Sequence, residues 1–580
     1  MLGMRKTGLI VAILCCLGLL ASACGGADFE SGTAPAPKPL PDRGPVAGSY
    51  QQDWQIEPET GTERAGFQLI AGHLVVASKT GLRAYDARTG KPTWHYREPG
   101  RQLWSWATTD DAIVYGSYRE EGDQIHDRQM TGLDARTGEP LWDAAEEWQV
   151  MSDGRGGSSS SPPEPGDAAA GTVLVQDGPL ARAGIDARTG DVRWRIEQGD
   201  VTDECAVGKP STGNGDSSGG KLLLAELSCK VPDQILAGID AESGEIRWHR
   251  PIPRFSASGA VMRGGVTLLD DVREDGPPVL LGPDGSEIFT GPDGTSCSCE
   301  LREAGEDVLL SYRGEGEVEP GLVRIDPRSG DVREVSNWPG RSLSEESVTV
   351  GDSLYELGDT ASGGQALPMM LSVTDTAKDQ AKFAHLPRTG VQPTGDLGQV
   401  QQSWFGVAGD RLYLAEQPVD PETESNKPPT IRAYSVADAT EPTALGGVQP
   451  SDWPDPCAAL AGVVRGEDVS TEPGGSVDIG DVTIPAVQCR SISELRSVEL
   501  QVWWMSGDAK QARQLFDHMD GAGKSTVGAD RELTTDEPDQ VWLQVGPAIV
   551  SVGMDALDSG FSTKTREQAL RKIVSNLRKS

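Results

Sequence analysis

The chain is poor in aromatic residues, in basic residues and in long apolar runs. Aromatic residues make up 5% of its 580 residues, so its cores have to be built mainly from aliphatic side chains. Lys and Arg number 52 against 88 Asp and Glu, a formal charge of −36. A nucleic-acid binder needs a basic footprint to neutralise phosphates, and the absence of any basic stripe excludes that class. The acidic excess suits a soluble, self-repelling surface. The six His (His73, His95, His126, His249, His385 and His518) are scattered, with no H-x-x-x-H or C-x-x-C spacing for zinc. There is no G-x-S-x-G nucleophile elbow. The stretch "DGAGKST" (Asp520–Thr526) ends like a phosphate loop, but His518 stands where that pattern needs its first Gly. It also follows a helical pattern rather than a strand, which argues against nucleotide binding.

One apolar run is present, Leu9 to Leu20, preceded by Arg5 and Lys6 and followed by "LASAC". It suits the core of a signal peptide and is too short to span a bilayer comfortably. The ending resembles the lipobox of bacterial lipoproteins, with Ala21 where Leu is commoner. That resemblance implies removal of residues 1–23 and a lipid on Cys24, hence an extracytoplasmic protein held to the cell membrane. One acyl chain holds a protein only marginally, and a diacylated cysteine would supply the chains that stable anchoring needs. Residues 24–48 are rich in Gly, Pro and Ala and read as a tether.

Six cysteines remain beyond Cys24, namely Cys205, Cys229, Cys297, Cys299, Cys457 and Cys489. An even number outside the cell points to disulfides. Proximity favours Cys205–Cys229 and Cys457–Cys489. Cys297 and Cys299, in "SCSCE", are left over; a bond between them would be strained, and a metal or redox site is the alternative.

What the chain has in abundance is Gly (71) and Pro (39), which suit many turns. One turn recurs letter for letter. "DARTG" stands at Asp86–Gly90, Asp134–Gly138 and Asp186–Gly190, and near-copies stand at Asp240–Gly244 and Asp326–Gly330. The Asp closes an Asx-type turn on backbone amides, and the Gly takes a positive φ in a hairpin loop with a bulge. A Trp follows eight residues after the Asp in four copies, at Trp94, Trp142, Trp194 and Trp248, offering a large apolar face to a neighbouring unit. These Asp residues are read as turn formers, not as acids or metal ligands.

The spacing between the Asp residues is 48, 52 and 54, then 86. Asp284 in "VLLGPDGSEIF" divides the long step, and Asp375 and Ser435 continue the series as worn copies. Units of roughly 40–50 residues made of strands and turns are the mark of a four-stranded propeller blade. Eight units emerge, with seven as the alternative. The eighth has no Trp in its last strand, yet Trp54 lies one step of 40 before Trp94. The N-terminal segment is therefore expected to supply the last strand of the final blade and close the ring, removing an exposed edge.

The core "AYDARTGKPTW" and its variants resemble the A-x-D-x-x-T-G-x-x-x-W repeat of the PQQ-binding-like β-propellers, over about Ser49 to Gly447. The resemblance implies the fold. It leaves function open, because the family includes quinone-dependent dehydrogenases, scaffold lipoproteins of outer-membrane assembly and surface proteins. The dehydrogenases hold PQQ beside a vicinal Cys–Cys disulfide with carboxylates on Ca²⁺, whereas this mature chain has no adjacent Cys pair. After residue 450 the texture changes. "SVELQVWWMS" alternates as a half-buried strand, "GDAKQARQLFDHM" has helical spacing, "QVWLQVGPAIVSVGM" reads as a hairpin, and the last eighteen residues form an amphipathic helix. This "DPC" region resembles small domains of bacterial lipoproteins.

The expectation is a mainly β protein, an eight-bladed propeller at 49–447 followed by a small α+β domain at 451–580. The favoured function is a non-catalytic, lipid-anchored binding or scaffold module for a protein or cell-envelope ligand, with no cofactor. The alternatives are a PQQ- and Ca²⁺-dependent dehydrogenase, and a ligand sensor acting through the C-terminal region.

Overall fold

The repeated turn is built as its residue types require. Asp86 accepts hydrogen bonds on Oδ1 from the amides of Arg88 (2.8 Å) and Thr89 (3.0 Å). Its carbonyl accepts from the amide of Gly90 at 2.8 Å. Gly90 sits at φ +67°, a region where a Cβ is disfavoured. Asp134, Asp186, Asp240 and Asp326 repeat the pair of amide bonds. Gly138, Gly190, Gly244 and Gly330 repeat the positive φ. Just beyond each of the first four turns the register of the following strand shifts by a residue, as a bulge that raises the local twist.

The computed structural model describes residues 28–579 apart from 32–36, 42–43, 46–48, 60–64, 122–123, 145–147, 151–167, 178–180, 197–204, 207–220, 230–233, 253–259, 264, 270–276, 293–294, 315–320, 337, 339–342, 344–346, 359–367, 390–399, 419–427, 439–444, 446–447, 465–468, 480–481, 494–495, 518, 520–521, 535–539 and 557–561. The protein is mainly β, and its described strands form antiparallel sheets, most of them four-stranded.

Eight such sheets follow one another along the chain. The first holds Gly66–Ile70, His73–Ser78, Gly81–Asp86 and Pro92–Arg97 in sequential order. The second runs from Gln102–Thr108 to Pro140–Ala144, the third from Trp148–Val150 to Val192–Ile196, and the fourth from Cys205–Ala206 to Ile246–Ile252. The fifth, sixth and seventh end at Glu287–Thr290, Val332–Glu334 and Gln380–Thr389. In the third sheet the first strand is split, since Trp148–Val150 and Ala168–Ala169 both pair with Thr172–Asp177 on either side of the long insertion. The eighth sheet takes Val400–Ala408, Arg411–Pro418 and Thr430–Asp438 from its own stretch and Ser49–Ile56 from the other end of the chain. Trp54 lies opposite Ala433 there, as Trp94 lies opposite Ala84 in the first sheet.

The strands are rich in Val, Leu, Ile and Ala, and both faces are buried. His73–Ser78 is buried throughout, and so are Ile113, Val114, Tyr115, Leu309 and Leu310. Sheets therefore pack on sheets. One core joins the first and second through Val75, Trp94, Trp106 and Tyr115. Another joins the seventh and eighth through Tyr355, Leu371, Phe405 and Leu412, and a third joins the eighth to the first through Ala415, Ile431, Leu74 and Phe67.

The segment expected as a tether is in part docked. Asp28–Ser31 adds a fifth strand to the first sheet, antiparallel to Pro92–Arg97. Further on, Arg88 donates to the carbonyls of Lys38 (2.7 Å) and Pro39 (3.1 Å). The Gly409 amide donates to Pro41, and the Tyr355 hydroxyl donates to Pro45 at 2.8 Å. Composition suggested a free linker because Pro-rich sequence lacks apolar side chains. Here its carbonyls do the work, accepting from side chains and amides at sheet ends.

Beyond residue 450 the described strands form a six-stranded antiparallel sheet, in the order Ser470–Gly474, Gln488–Ser493, Arg496–Met505, Ala548–Ala556, Gln540–Val545, Arg531–Thr534. Helices Pro456–Leu460, Ala509–Phe516 and Thr563–Leu577 pack on it. Asp455, Asp508 and Ser562 cap them, each accepting from backbone amides of the first turn. Leu570, Ile573, Val574 and Leu577 of the last helix are buried in that core, so its apolar stripe faces protein. The same core reaches the seventh sheet through Met370 and Phe383, and His385 meets Trp504 edge-on with ring centroids 4.8 Å apart.

Candidate binding site

The Trp residues that follow each turn form seams between sheets. Trp94 lies in its own sheet and covers Gly138 of the next, where an added Cβ would sit 2.6 Å from the ring. Trp142 covers Gly190, Trp194 covers Gly244 and Trp248 covers Gly285 in the same way. Trp54, at the end of the eighth sheet, covers Gly90 of the first at 2.8 Å. Three indoles also donate across the seam, Trp54 to the Ala87 carbonyl (3.3 Å), Trp142 to Ala187 (3.0 Å) and Trp194 to Ala241 (2.8 Å). On its other side Trp142 lies against the cross-strand Gly132, Trp194 against Gly184 and Trp248 against Gly238, whereas Trp54 and Trp94 stand opposite Ala433 and Ala84. The Gly thus meets two demands, backbone conformation and room for a ring, and either excludes a side chain.

Two of the turn carboxylates, Asp240 and Asp326, are held ionised by their partners. Arg247 and the amide of Ser243 keep Asp240 at about 2. The amide of Arg328 and the hydroxyl of Ser329 likewise hold Asp326 below the usual carboxylate range. Such a group is no proton donor at neutral pH, which fits a structural part.

The worn copies show what may be exchanged. At Asp284 the turn survives, with Ser286 donating to its carboxylate and Gly285 at φ +77°. At Asp375 the place of the Gly is taken by Asp379 at φ +53°, a conformation that Asp tolerates better than most residues. Ile288 covers Gly330 where a Trp stood before, and Arg333 crosses to the carbonyls of Thr376 and Ala377. Ser435 closes no turn. Its strand continues to Asp438, and the strand beside it arrives from the N-terminus, so no Asp or Gly is required. Ser435 instead donates to Asp53 at 2.7 Å, and Asp53 pairs with Arg411 at 3.1 Å.

Among the cysteines, Cys457 and Cys489 form a disulfide with a Cα separation of 5.2 Å. Cys205 and Cys229 stand directly opposite in adjacent antiparallel strands. Cys299 is disulfide-bonded, and the strand around it bulges, three residues between Ser296 and Glu300 standing against one, Tyr312, on the partner strand. Cys24 lies outside the described residues, as do most of the insertions at 152–170 and 207–220. In the phosphate-loop lookalike, the amide of Thr526 donates to Glu532 at 2.7 Å, so a carboxylate sits where a phosphate would have to.

A polar site that the repeat does not announce lies at the sheet ends opposite the turns. Glu98 and Arg101 flank a Pro-Gly bend between the first and second sheets, and both are buried. Arg101 Nε pairs with Glu98 Oε2 at 2.9 Å. Ser117 donates to the same oxygen at 2.5 Å, and Tyr96 and Thr131 donate to Oε1 at 2.8 and 3.2 Å. Burial first, and the Glu98 charge second, raise the Tyr96 and Tyr115 hydroxyls far above their ordinary value, so both remain protonated. The cluster borders a cleft of about 460 Å³ lined by Lys79, Thr80, Arg97, Glu98, Pro99, Gly100, Arg101 and Gln102. The sequence signal was "REPGR", two charges around a bend, which does not reveal that they are buried.

Glu356 in the seventh sheet is the second unusual carboxyl. Burial pushes it up to about 7, against hydrogen bonds from Trp338 (2.7 Å) and Ser372 (3.4 Å). Among the described residues no three His, Cys, Asp or Glu side chains are grouped to hold a metal ion.

A family model described as outer membrane protein assembly factor BamB matches residues 49–213 and 126–267. No curated protein matches the chain. Among solved structures, BamB from Moraxella catarrhalis is 14% identical, with 67% of this chain and 99% of that one covered at a TM-score of 0.36. A quinohemoprotein alcohol dehydrogenase from Pseudomonas putida HK5 is 11% identical over 71% of this chain and 80% of its own, at 0.37. A europium-containing methanol dehydrogenase is 12% identical over 67% and 93%, also at 0.37. The family match rests on the stretch that holds the clearest turns and seams, and over residues 49–267 the chain carries PQQ-like β-propeller repeats.

Proposed function

We propose that the eight sheets are the blades of a closed propeller spanning residues 49–447, that residues 451–580 form a small α+β domain mounted on it, and that the whole is a non-catalytic binding or scaffold module. It acts outside the cytoplasm, tied to the cell membrane through a lipid on Cys24, and its partner is a protein or another component of the cell envelope.

The observation that carries this reading is the use made of the repeated residues. Asp, Gly and Trp of the first four copies are taken up by turn closure and by contact with the next sheet. The repeat supplies rigidity, and the loops between sheets are left to vary. A rigid ring presenting variable loops suits recognition of a macromolecule. The matching family model is described as an outer membrane protein assembly factor, and from that description we carry over a protein partner. No helix among the described residues is long and apolar enough to cross a membrane.

Cross-linking in intact cells followed by affinity capture of the full chain tests the reading. Enrichment of one envelope component in proportion to the bait is the expected result. A quinone absorbance and dye reduction on adding PQQ and Ca²⁺ to the pure protein would overturn it in favour of a dehydrogenase.

A further inference from the structure

We propose that the outward face of the helix Thr563–Leu577 is a docking surface for the anionic headgroups of a phospholipid membrane. The choice of a membrane as partner rests on the membrane-attached reading above; the surface itself does not.

The helix is held to its domain by one side. Ala569, Leu570, Ile573, Val574 and Leu577 are buried. Asn576 donates to the carbonyls of Ala459 and Ala461 at 2.9 and 3.2 Å. At about 100° per residue, the side opposite that stripe carries Lys564, Arg571 and Lys572, and Arg578 and Lys579 continue it past the last turn. All five are exposed, and so are Gln568 and Ser575 between them. At 1.5 Å per residue the cations extend over about 22 Å.

Two of the five are engaged. Arg571 pairs with Glu567 at 2.7 Å and donates to the Thr526 carbonyl. Arg578 donates to the Gly528 carbonyl and pairs with Asp530 at 3.3 Å. Those contacts use the two carboxylates that meet these cations and fix the helix against residues 526–530. Lys564, Lys572 and Lys579 have no hydrogen bond or ion pair with any described residue. Fold stability does not call for them either. Lys564 lies in the first turn, where the free amides of a helix favour an acid, and the cap there is the neutral hydroxyl of Ser562. A charge placed against local preference, with no partner in the fold, is a mark of function.

The partner follows from shape and screening. A helix side is convex, whereas a small ligand needs a concave site. A long convex row of cations matches a broad surface of negative charge. No apolar side chain stands in the row, and the apolar side of the helix is part of the domain core, so the helix rests on headgroups and does not enter the acyl region. The chain carries a formal −36, but charge is screened over about 8 Å at physiological salt. A bilayer that meets this side senses the three lysines, and most of the acidic body lies beyond that distance.

The test uses the chain from residue 25, which contains every described residue and carries no lipid. It is sedimented with vesicles of phosphatidylglycerol and phosphatidylcholine, and with vesicles of phosphatidylcholine alone. The proposal expects binding to the anionic vesicles, weakened by salt. The triple variant Lys564→Glu, Lys572→Glu, Lys579→Glu should lower partitioning by more than about tenfold, since each basic residue near the surface contributes about fivefold. Replacing the same three by Arg should preserve it. Lys38→Glu, Lys91→Glu, Lys221→Glu changes the net charge equally at exposed lysines outside this domain and should leave most of the binding. No binding to anionic vesicles, equal binding to both kinds, or an equal loss in the two Glu triples overturns the proposal, with unchanged far-UV circular dichroism showing that the variants are folded. Binding to soluble polyglutamate that anionic vesicles do not displace also overturns it and gives the surface to an acidic protein. The mass of the N-terminal peptide from the membrane fraction is read separately. An unmodified Cys24 overturns the anchored reading and leaves the vesicle result standing.

Discussion

The first four sheets and the last four solve the same packing problem with different residues. In the first four, each turn carries Asp and Gly, and each seam carries a Trp on a Gly. In the later ones Ile288, Arg333 and Asp379 stand in for these parts. What persists at Asp326 and Asp375 is the geometry, a carboxylate closing on amides and a positive φ four residues on, while at Asp284 the positive φ falls on the next residue and Ser435 closes no turn. What varies is how the seam is filled. The turn is constrained by covalent geometry, which admits few residue types, whereas a seam is constrained by volume and hydrogen bonding, which admit several.

The largest expected contrast between the two halves is at the seams. Trp194→Ala removes a buried ring and its bond to Ala241, and should cost about 3–5 kcal/mol. Arg333→Ala removes two partly exposed hydrogen bonds and should cost about 1 kcal/mol. Guanidinium unfolding followed by far-UV circular dichroism measures both, and comparable losses would break the distinction.

Next comes Glu356, whose folded value near 7 exceeds its value of about 4.5 in an unfolded chain. Between those values the folded protein binds the proton and the unfolded chain does not, so stability falls as pH rises from about 4.5 to about 7. The loss is on the order of 1–3 kcal/mol. Glu356→Gln should flatten that slope, seen as a smaller difference in melting temperature between pH 5 and pH 7.5 than the parent shows; an unaltered difference would mean the carboxyl is solvated.

The turns give a smaller contrast. Gly244→Ala places a Cβ in the left-handed region and 2.5 Å from Trp194, and should cost about 2 kcal/mol. Asp379→Gly relieves strain at the matching place but frees the unfolded chain, and should stay within about 0.5 kcal/mol. Smallest is the difference at the Asp positions. Asp134→Ala loses two amide bonds at a turn, about 1 kcal/mol. Ser435→Ala loses one exposed bond to Asp53, about half as much. Reversal of that order would show that Ser435 has a part its hydrogen bond does not express.

Much of the frame was legible because it is written in short-range chemistry. Asp and Gly announce a turn whatever surrounds them, and the Trp eight residues on marks the strand that follows. Even the worn Asp284 and Asp375 kept enough of the turn to be counted. Other features depend on what lies opposite in space. Nothing in "REPGR" tells that Glu98 and Arg101 are buried under Tyr96 and Ser117. Residues 37–45 read as linker because Pro carries little apolar surface, yet their carbonyls meet Arg88, Gly409 and Tyr355. Arg333 gives no sign in sequence of replacing a Trp, since its bonds go to the carbonyls of another sheet. The C-terminal strand and helices followed from periodicity, but their contact with His385 and Phe383 of the seventh sheet did not.

The strand Ser49–Ile56 has a consequence for the order in which the protein is made. Its partners lie far along the chain, Ser435 being 382 residues from Asp53. Seven sheets draw their main strands from local stretches and can form as each emerges, but the eighth waits until the chain has been made as far as Thr430–Asp438. Contacts of such long sequence separation are slow to form. Until then Trp54 has no sheet to sit in and the turn at Gly90 lacks its cover. A chain halted before Thr430 would keep seven nearly complete sheets and one exposed seam, so a protease added during synthesis has a single vulnerable joint, and it lies where the oldest and newest parts of the propeller are due to meet.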